Sequence, residues 1–541
     1  NNAVNYAESN FYFPSTGKWY LEVAINNLNI GSNLGYLQGL TIRSATSGSR
    51  YLWWVYSSPY YQINTDSGLV TISALSNGQI LQLAFDADTG KTWFGKNNTW
   101  YLNGDPANGT AMSSPITITG DDVRFSVSGR SGSAANIVDV NFGAQGFTYT
   151  PPTGFKALCS ANLPDPTILL PNKHFNTLLY TGAGSEQEVN GLSFQPDWVW
   201  LKERTGSGTS HGLFDSVRGR AAGLASNQTN AEYTSSASND LVSFDSDGFT
   251  VGGFQNFYTN RSGGYNYVAW NWNAGDTDGK TYTVTVVDDS GNKYRFDGFG
   301  TSAVTLDLAE GGTYIFNYPS AHPLKFSTTA DGTHGGGSEY TTGVTHNSST
   351  QVTIVVAASA PTLYYYCSIH SGMGGQVNTN STLGSSNFDG SIQTTVKVNA
   401  TAGFSIVAYE GNGSNGSTIG HGLGVTPNHV IWKNRSSAGN WQNWQTQLGD
   451  NAVLLNLTNS QISASGNNLF TYSDFNSTTL KLGPASQTNG NNHDMIAYCF
   501  SEVAGYSKFG SYTGNGSSDG TFVFTGFRPA WVLVKNIDTA Y

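Results

Sequence analysis

A short aromatic strand preceded by a glycine turn occurs three times in this chain, and it constrains the fold more than any other feature. The first copy reads Tyr180-Thr181-Gly182-Ala183-Gly184 and then Pro196-Asp197-Trp198-Val199-Trp200-Leu201-Lys202. The second reads Tyr409-Glu410-Gly411-Asn412-Gly413 and then Pro427-Asn428-His429-Val430-Ile431-Trp432-Lys433. The third reads Tyr512-Thr513-Gly514-Asn515-Gly516 and then Pro529-Ala530-Trp531-Val532-Leu533-Val534-Lys535. Each block predicts a strand, a glycine turn, a polar loop, a proline, and a β-branched or aromatic strand. Proline is tolerated at the first residue of a strand, and glycine supplies positive φ in the turn. A closing strand recurs as well, as Tyr267-Val268-Ala269-Trp270-Asn271-Trp272 and Met495-Ile496-Ala497-Tyr498-Cys499-Phe500.

The spacing of the copies gives the domain plan. Pro427 and Pro529 are 102 residues apart, but Pro196 and Pro427 are 231 apart. That excess has room for one additional small domain between the first two copies. The plan is then 1–149, a proline-rich linker at 150–171, copy 1 at 172–275, an inserted domain at 280–379, a linker at 380–398, copy 2 at 399–503 and the start of copy 3 at 504–541. Almost nothing separates copies 2 and 3, so they are expected to stack end to end as a rod. The chain starts at Asn1 rather than Met, and copy 3 stops soon after its proline strand, so a longer parent protein is expected.

Composition agrees with β modules in series. Only 11% of residues are charged and 13% are aromatic, with 65 glycines. Short Thr, Val, Tyr and Trp runs between Gly, Asn and Asp turns predict an all-β chain of serial sandwiches. A net charge of −11 without a Lys/Arg stripe argues against nucleic acid as a partner. No apolar run approaches membrane-spanning length, so no membrane insertion is expected. Cys159, Cys367 and Cys499 are odd in number and widely spaced, which argues against a disulfide framework.

In the first unit, Gly17-Lys18-Trp19-Tyr20-Leu21-Glu22-Val23, Gly78 to Asp86, the turn Asp88-Thr89-Gly90, Lys91-Thr92-Trp93-Phe94, Trp100 and Val140-Asn141-Phe142-Gly143 form a series of strands. The series resembles the SPRY family, a β-sandwich whose loops recognise proteins or glycans. Asp86 and Asp88 read as a turn-forming pair, since no bidentate Glu follows at calcium-loop spacing. Trp53, Trp54, Tyr56, Tyr60 and Tyr61 are the candidate ligand-binding residues, because aromatic faces stack on sugars and anchor interfaces. The alternative is that the tryptophans are buried in a strand.

The aromatic strands of the repeats are expected to be sheet core. His211, Asp215 and Arg218 lie close in sequence, but no nucleophile or oxyanion site accompanies them. They read as a surface loop, and no catalytic residue is assigned.

The insert carries specific chemistry. His322 follows the strand Gly312 to Tyr318, and Cys367, His370 and Met373 fall within seven residues after Tyr364-Tyr365-Tyr366. A thiolate, two imidazoles and a thioether are the parts of a blue-copper site. The insert resembles the cupredoxin family, Greek-key sandwiches with a Cys-x-x-His-x-x-Met loop in the short-loop amicyanin branch. That resemblance implies His322 and His370 as imidazole ligands, Cys367 as the thiolate, Met373 as the axial ligand and copper as the cofactor. Pro323 follows His322 where the family commonly has an orienting Asn, which removes one outer support. His334 and His346 are expected at the rim. A sandwich keeping these loop residues without metal is the alternative.

The combination of modules, with Tyr-x-Gly-x-Gly and the Pro-x-x-Val-x-x-Lys strand, resembles modular virion proteins of tailed marine bacteriophages. The resemblance implies a non-enzymatic structural and adhesive role at the virion surface, in a tail fibre or another appendage. Its partners would be other virion proteins, a host-surface glycan or protein, and further copies of itself in a trimer. A polysaccharide depolymerase and a copper electron-transfer protein are the competing readings. The first lacks a convincing carboxylate pair, and the second leaves the repeats without a role.

Overall fold

The computed structural model describes residues 4–9, 12–27, 39–44, 48–51, 54–55, 61–120, 123–130, 137–159, 162, 166–206, 209–253, 259–275 and 279–539. The chain is all-β and divides into two compact units, residues 1–165 with 513–526 and residues 166–512 with 527–541. Among the described residues no helix is long and apolar enough to cross a membrane.

The first unit is built on the long strand Lys18–Asn27, which pairs with Ile80–Asp86 on one side and Ile137–Asn141 on the other. A four-stranded sheet of Val4–Glu8, Arg124–Arg130, Gly39–Ser44 and Gly48–Tyr51 adds Ile42 and Phe125 to the core that holds Trp19, Leu21 and Val23. The start of the expected linker is part of this fold. Lys156–Ala157 pairs in parallel with Lys18–Asn27, and Phe155 is buried edge-on against Trp93 at 5.9 Å. Burial of Phe155 and Leu158 keeps the segment on the sheet. Asp86 and Asp88 do form a turn. The Asp88 N–H donates to Asp86 Oδ1 at 3.1 Å, and the Gly17 N–H donates to Asp88 Oδ1 at 2.9 Å.

In the second unit, copies 1 and 2 repeat one strand order. Phe175–Thr181 pairs with Asn266–Trp272, which pairs with Trp198–Glu203. Phe404–Gly411 pairs with His493–Phe500, which pairs with His429–Asn434. The glycine turns are equivalent in detail. A Cβ on Gly182 would lie 2.3 Å from the Arg261 carbonyl, and one on Gly411 2.4 Å from the Gly490 carbonyl. One asparagine locks each turn. Asn260 accepts from the Ala183 N–H and donates to the Ser185 and Gly252 carbonyls. Asn489 accepts from the Asn412 N–H and donates to the Ser414 and Gly483 carbonyls. Tyr180 and Tyr409 donate to the carbonyls of the residues just before these asparagines. Asn489→Ala would strip partners from three backbone groups at a fully buried site, so urea unfolding should show a loss of about 3 kcal/mol. A loss below about 0.5 kcal/mol would show that the turn holds itself.

The expected linker at 380–398 is a further structural element. Ser385–Asn387 and Thr394–Asn399 extend the copy 2 sheet, the second strand pairing with the first on one side and with Phe404–Gly411 on the other.

The copies meet face to face. Trp198 stacks on Tyr498 with ring centroids 4.2 Å apart, and Phe404, Ile431 and Trp441 complete the shared core. Asp215 and Arg218 sit in this contact with fully buried side chains, which corrects the surface-loop expectation. Arg218 Nε lies 2.5 Å from Asp215 Oδ2, and its Nη1 lies 2.8 Å from Glu232 Oε2. Arg435 of copy 2 grips Glu232 with two hydrogen bonds of 2.8 Å, and Tyr498 donates to Asp215 at 2.7 Å. His211 is half-buried and accepts from Trp200 Nε1 at 2.9 Å. Burial holds its imidazole down to about 4, so it is neutral at pH 7.

Residues 531–535, expected as the strand of copy 3, make no ladder. Trp531 instead packs against Trp272 at 5.5 Å.

The insert is a sandwich of a five-stranded and a four-stranded sheet. Its core contains Tyr282, Tyr294, Phe296, Phe316, Phe326 and Tyr365. It is anchored to copy 2. Tyr282 donates to the Ser386 carbonyl at 2.9 Å, Thr395 donates to Asp307 at 2.5 Å, and Phe388 joins the insert core.

Candidate metal centre

Strand alternation and register assemble the site. In Leu363–Cys367 the side chains of Leu363, Tyr365 and Cys367 are fully buried in the insert core. Leu324 pairs with Cys367, so His322, two residues before Leu324, arrives beside the sulfur. The Ser368 N–H donates to the Pro323 carbonyl at 3.1 Å and extends this contact. Three residues beyond the cysteine, the loop returns His370.

Cys367 Sγ lies 3.6 Å from His370 Nδ1 and 4.0 Å from His322 Nδ1. The three donor atoms are all within 4.8 Å of one another, and the two imidazole centroids are 4.6 Å apart. Metal–nitrogen and metal–sulfur bonds of about 2.0–2.3 Å separate donors in one plane by roughly 3.5–4 Å. Two imidazoles and a thiolate at such spacing suit copper. Met373 is fully buried in the same core cluster as Cys367. His370 is exposed and His322 half-buried, so the donor cluster opens on one side to solvent. Desolvation, and then the nearby His370, lowers the His322 pKa, which favours the neutral ring that a metal requires.

His334 and His346 are not in the cluster. His334 Nε2 lies 3.0 Å from the Cys367 carbonyl, and His346 pairs with Glu339 at 2.6 Å. Tyr294 has no sequence motif to mark it, yet it ties two ligand segments together. Its hydroxyl donates to the His322 carbonyl at 2.7 Å and its N–H to the Met373 carbonyl at 3.0 Å. Burial, and then the neighbouring Cys367, pushes its phenol well above the usual range.

The aromatic stretch of the first unit is a different matter. Trp53, Tyr56 and Tyr60 lie outside the described residues, as does the side chain of Trp54 in the strand Trp54–Val55. Tyr61 is buried in the first core beside Ile63, so its ring presents no face to a sugar. Its place in the strand Tyr61–Thr65, with alternate residues inward, decides this. All three cysteines are free thiols.

Comparison with known proteins gives three findings. No curated protein matches. The SPRY domain of human HERC1 is similar at 14% identity over 25% of this chain and 81% of that one, but with a TM-score of 0.18 the likeness carries no argument. A family model described as a domain of unknown function, DUF7483, matches residues 170–316 and 378–541. The gap in the match contains His322, Cys367, His370 and Met373, so the donor cluster falls outside the part held in common. With its two repeat copies matched across more than half its length, the chain belongs to the DUF7483 family.

Proposed function

We propose that residues 280–379 bind copper through Cys367, His322 and His370, with Met373 as a weak axial donor. The single observation that carries this is the approach of three donor atoms, from two separate segments, to within 4.8 Å of one another. Bound copper would supply one-electron exchange. The protein's own contribution is to hold the thiol in an apolar core, keep His322 neutral and leave His370 at the surface. Cu(II) added to the full chain should produce an intense visible thiolate-to-copper absorption. Acidification should bleach it as protons compete for the imidazoles. A silent spectrum at neutral pH with one equivalent of Cu(II) would overturn the reading.

The whole chain we read as a non-enzymatic structural and adhesive protein of a virion surface, recognising a host glycan or protein as a homotrimer. What supports this is the rigid platform made by two repeats packed face to face, since loops on rigid scaffolds are suited to recognition. Immunogold labelling of intact particles tests it, and label confined to cells would overturn it. Soluble oligosaccharides released from host envelope polysaccharide would favour a depolymerase instead.

A further inference from the structure

We propose that Asp331 and His334, on one short turn, are the positioning residues that set the geometry of the ligand loop 368–373; this rests on the copper reading above. Pro323 offers no side-chain hydrogen bond beside His322, so any outer support for the loop must come from another part of the chain. The turn Gly332–Gly335 provides it. Asp331 adopts a left-handed conformation at φ 58°, which Asp tolerates better than most residues. Its Oδ1 accepts from the Gly372 N–H at 2.8 Å, one residue before Met373. A carboxylate accepting a backbone N–H forms a charge-assisted bond, stronger than a neutral one.

His334 holds the other end of the loop. Its Nε2 lies 3.0 Å from the Cys367 carbonyl, so this nitrogen carries the hydrogen. One four-residue turn therefore grips the loop both where it leaves the thiolate and where it delivers the thioether. Lys293 Nζ donates to the Gly372 carbonyl and fixes the same peptide from the other side. The turn itself is tightly seated, since a Cβ on Gly332 would lie 2.5 Å from the ring of Tyr366. Hydrogen bonds of this kind orient metal ligands, and their loss typically weakens metal affinity by about 10–100-fold.

The test compares the full chain with Asp331→Ala, Asp331→Asn and His334→Ala. Asp331→Ala should weaken Cu(II) affinity by about 10–100-fold and shift the reduction potential. In metal-free protein it should also speed alkylation of Cys367, read peptide by peptide, because the loop no longer covers the thiol. Asp331→Asn keeps an acceptor oxygen and should stay close to the unaltered chain in all three. Asp331→Ala with unchanged affinity, potential and alkylation would overturn the proposal. Should that variant fail to fold, His334→Ala removes an exposed side chain and decides alone, by the same shift in potential and alkylation. If the unaltered chain shows no copper band, the copper reading fails. The alkylation comparison then still tests the grip on the loop.

Discussion

Arg218→Ala will lower the unfolding free energy of the second unit by about 3–5 kcal/mol, because it leaves the buried Asp215 carboxylate without its cation. The guanidinium is fully buried and reaches Asp215, Glu232, the Ala222 carbonyl at 3.0 Å and the Tyr498 hydroxyl at 3.3 Å. Alanine removes all of these contacts at once. Glu232 keeps Arg435, but Asp215 keeps only neutral donors, the Tyr498 hydroxyl and the Arg218 backbone N–H. Arg218→Lys retains the charge but not the planar fork, and should fall in between. Arg218→Met combined with Asp215→Leu should recover much of the loss, since a buried pair is often replaceable by apolar packing. Urea titration of the three variants reads the series. A loss under about 1 kcal/mol for Arg218→Ala would mean that water reaches the cluster. Burial opposes ionisation of Glu232, but Arg435 and Arg218 outweigh it and hold its carboxyl below the usual range. A depressed carboxyl adds stability above its unfolded pKa, and that contribution fades as pH falls through the folded value. The penalty for Arg218→Ala should accordingly shrink in acid.

The second large effect belongs to the thiolate. Cys367→Ser should abolish the visible copper absorption outright, since a serine hydroxyl is a harder ligand and scarcely ionises at neutral pH. The substitution is close in size at a fully buried position, so thermal unfolding of the metal-free protein should change little. Met373→Leu should retain the absorption but shift the reduction potential, because the axial bond is weak. A band that survives Cys367→Ser would place the copper elsewhere and remove the proposed site.

The repeated glycine turns and aromatic strands were legible because each local rule pointed the same way. Proline stood two residues before each strand, β-branched and aromatic residues filled it, and glycine sat where a Cβ has no room. The approach of Cys367 and His370 was readable in their three-residue spacing, and the pairing of Leu324 with Cys367 adds His322. What sequence could not supply was long-range pairing. Ser385–Asn387 and Thr394–Asn399 look like a polar connector, and only their neighbours in the copy 2 sheet make them strands. Arg218 looks solvated until copy 2 covers it with Tyr498, 280 residues further along the chain. Tyr61 looks like a binding aromatic until strand alternation turns it inward. Asp331 and His334 carry no motif, since each acts on a backbone group that any residue would provide.

The way the insert is attached has a mechanical consequence. The chain leaves copy 1 after Trp272 and joins the copy 2 sheet at Ser385–Asn387, while the copies themselves are joined directly through Trp198, Tyr498 and the buried ions. Tension applied to the two copies would pass first through that direct contact. The sandwich with the donor cluster lies on a second branch in parallel with it, pinned to copy 2 by Tyr282 and Thr395, and the direct contact between the copies would take the load first. The cluster of His322, Cys367 and His370, mounted in this way, keeps its distances while the body around it is pulled.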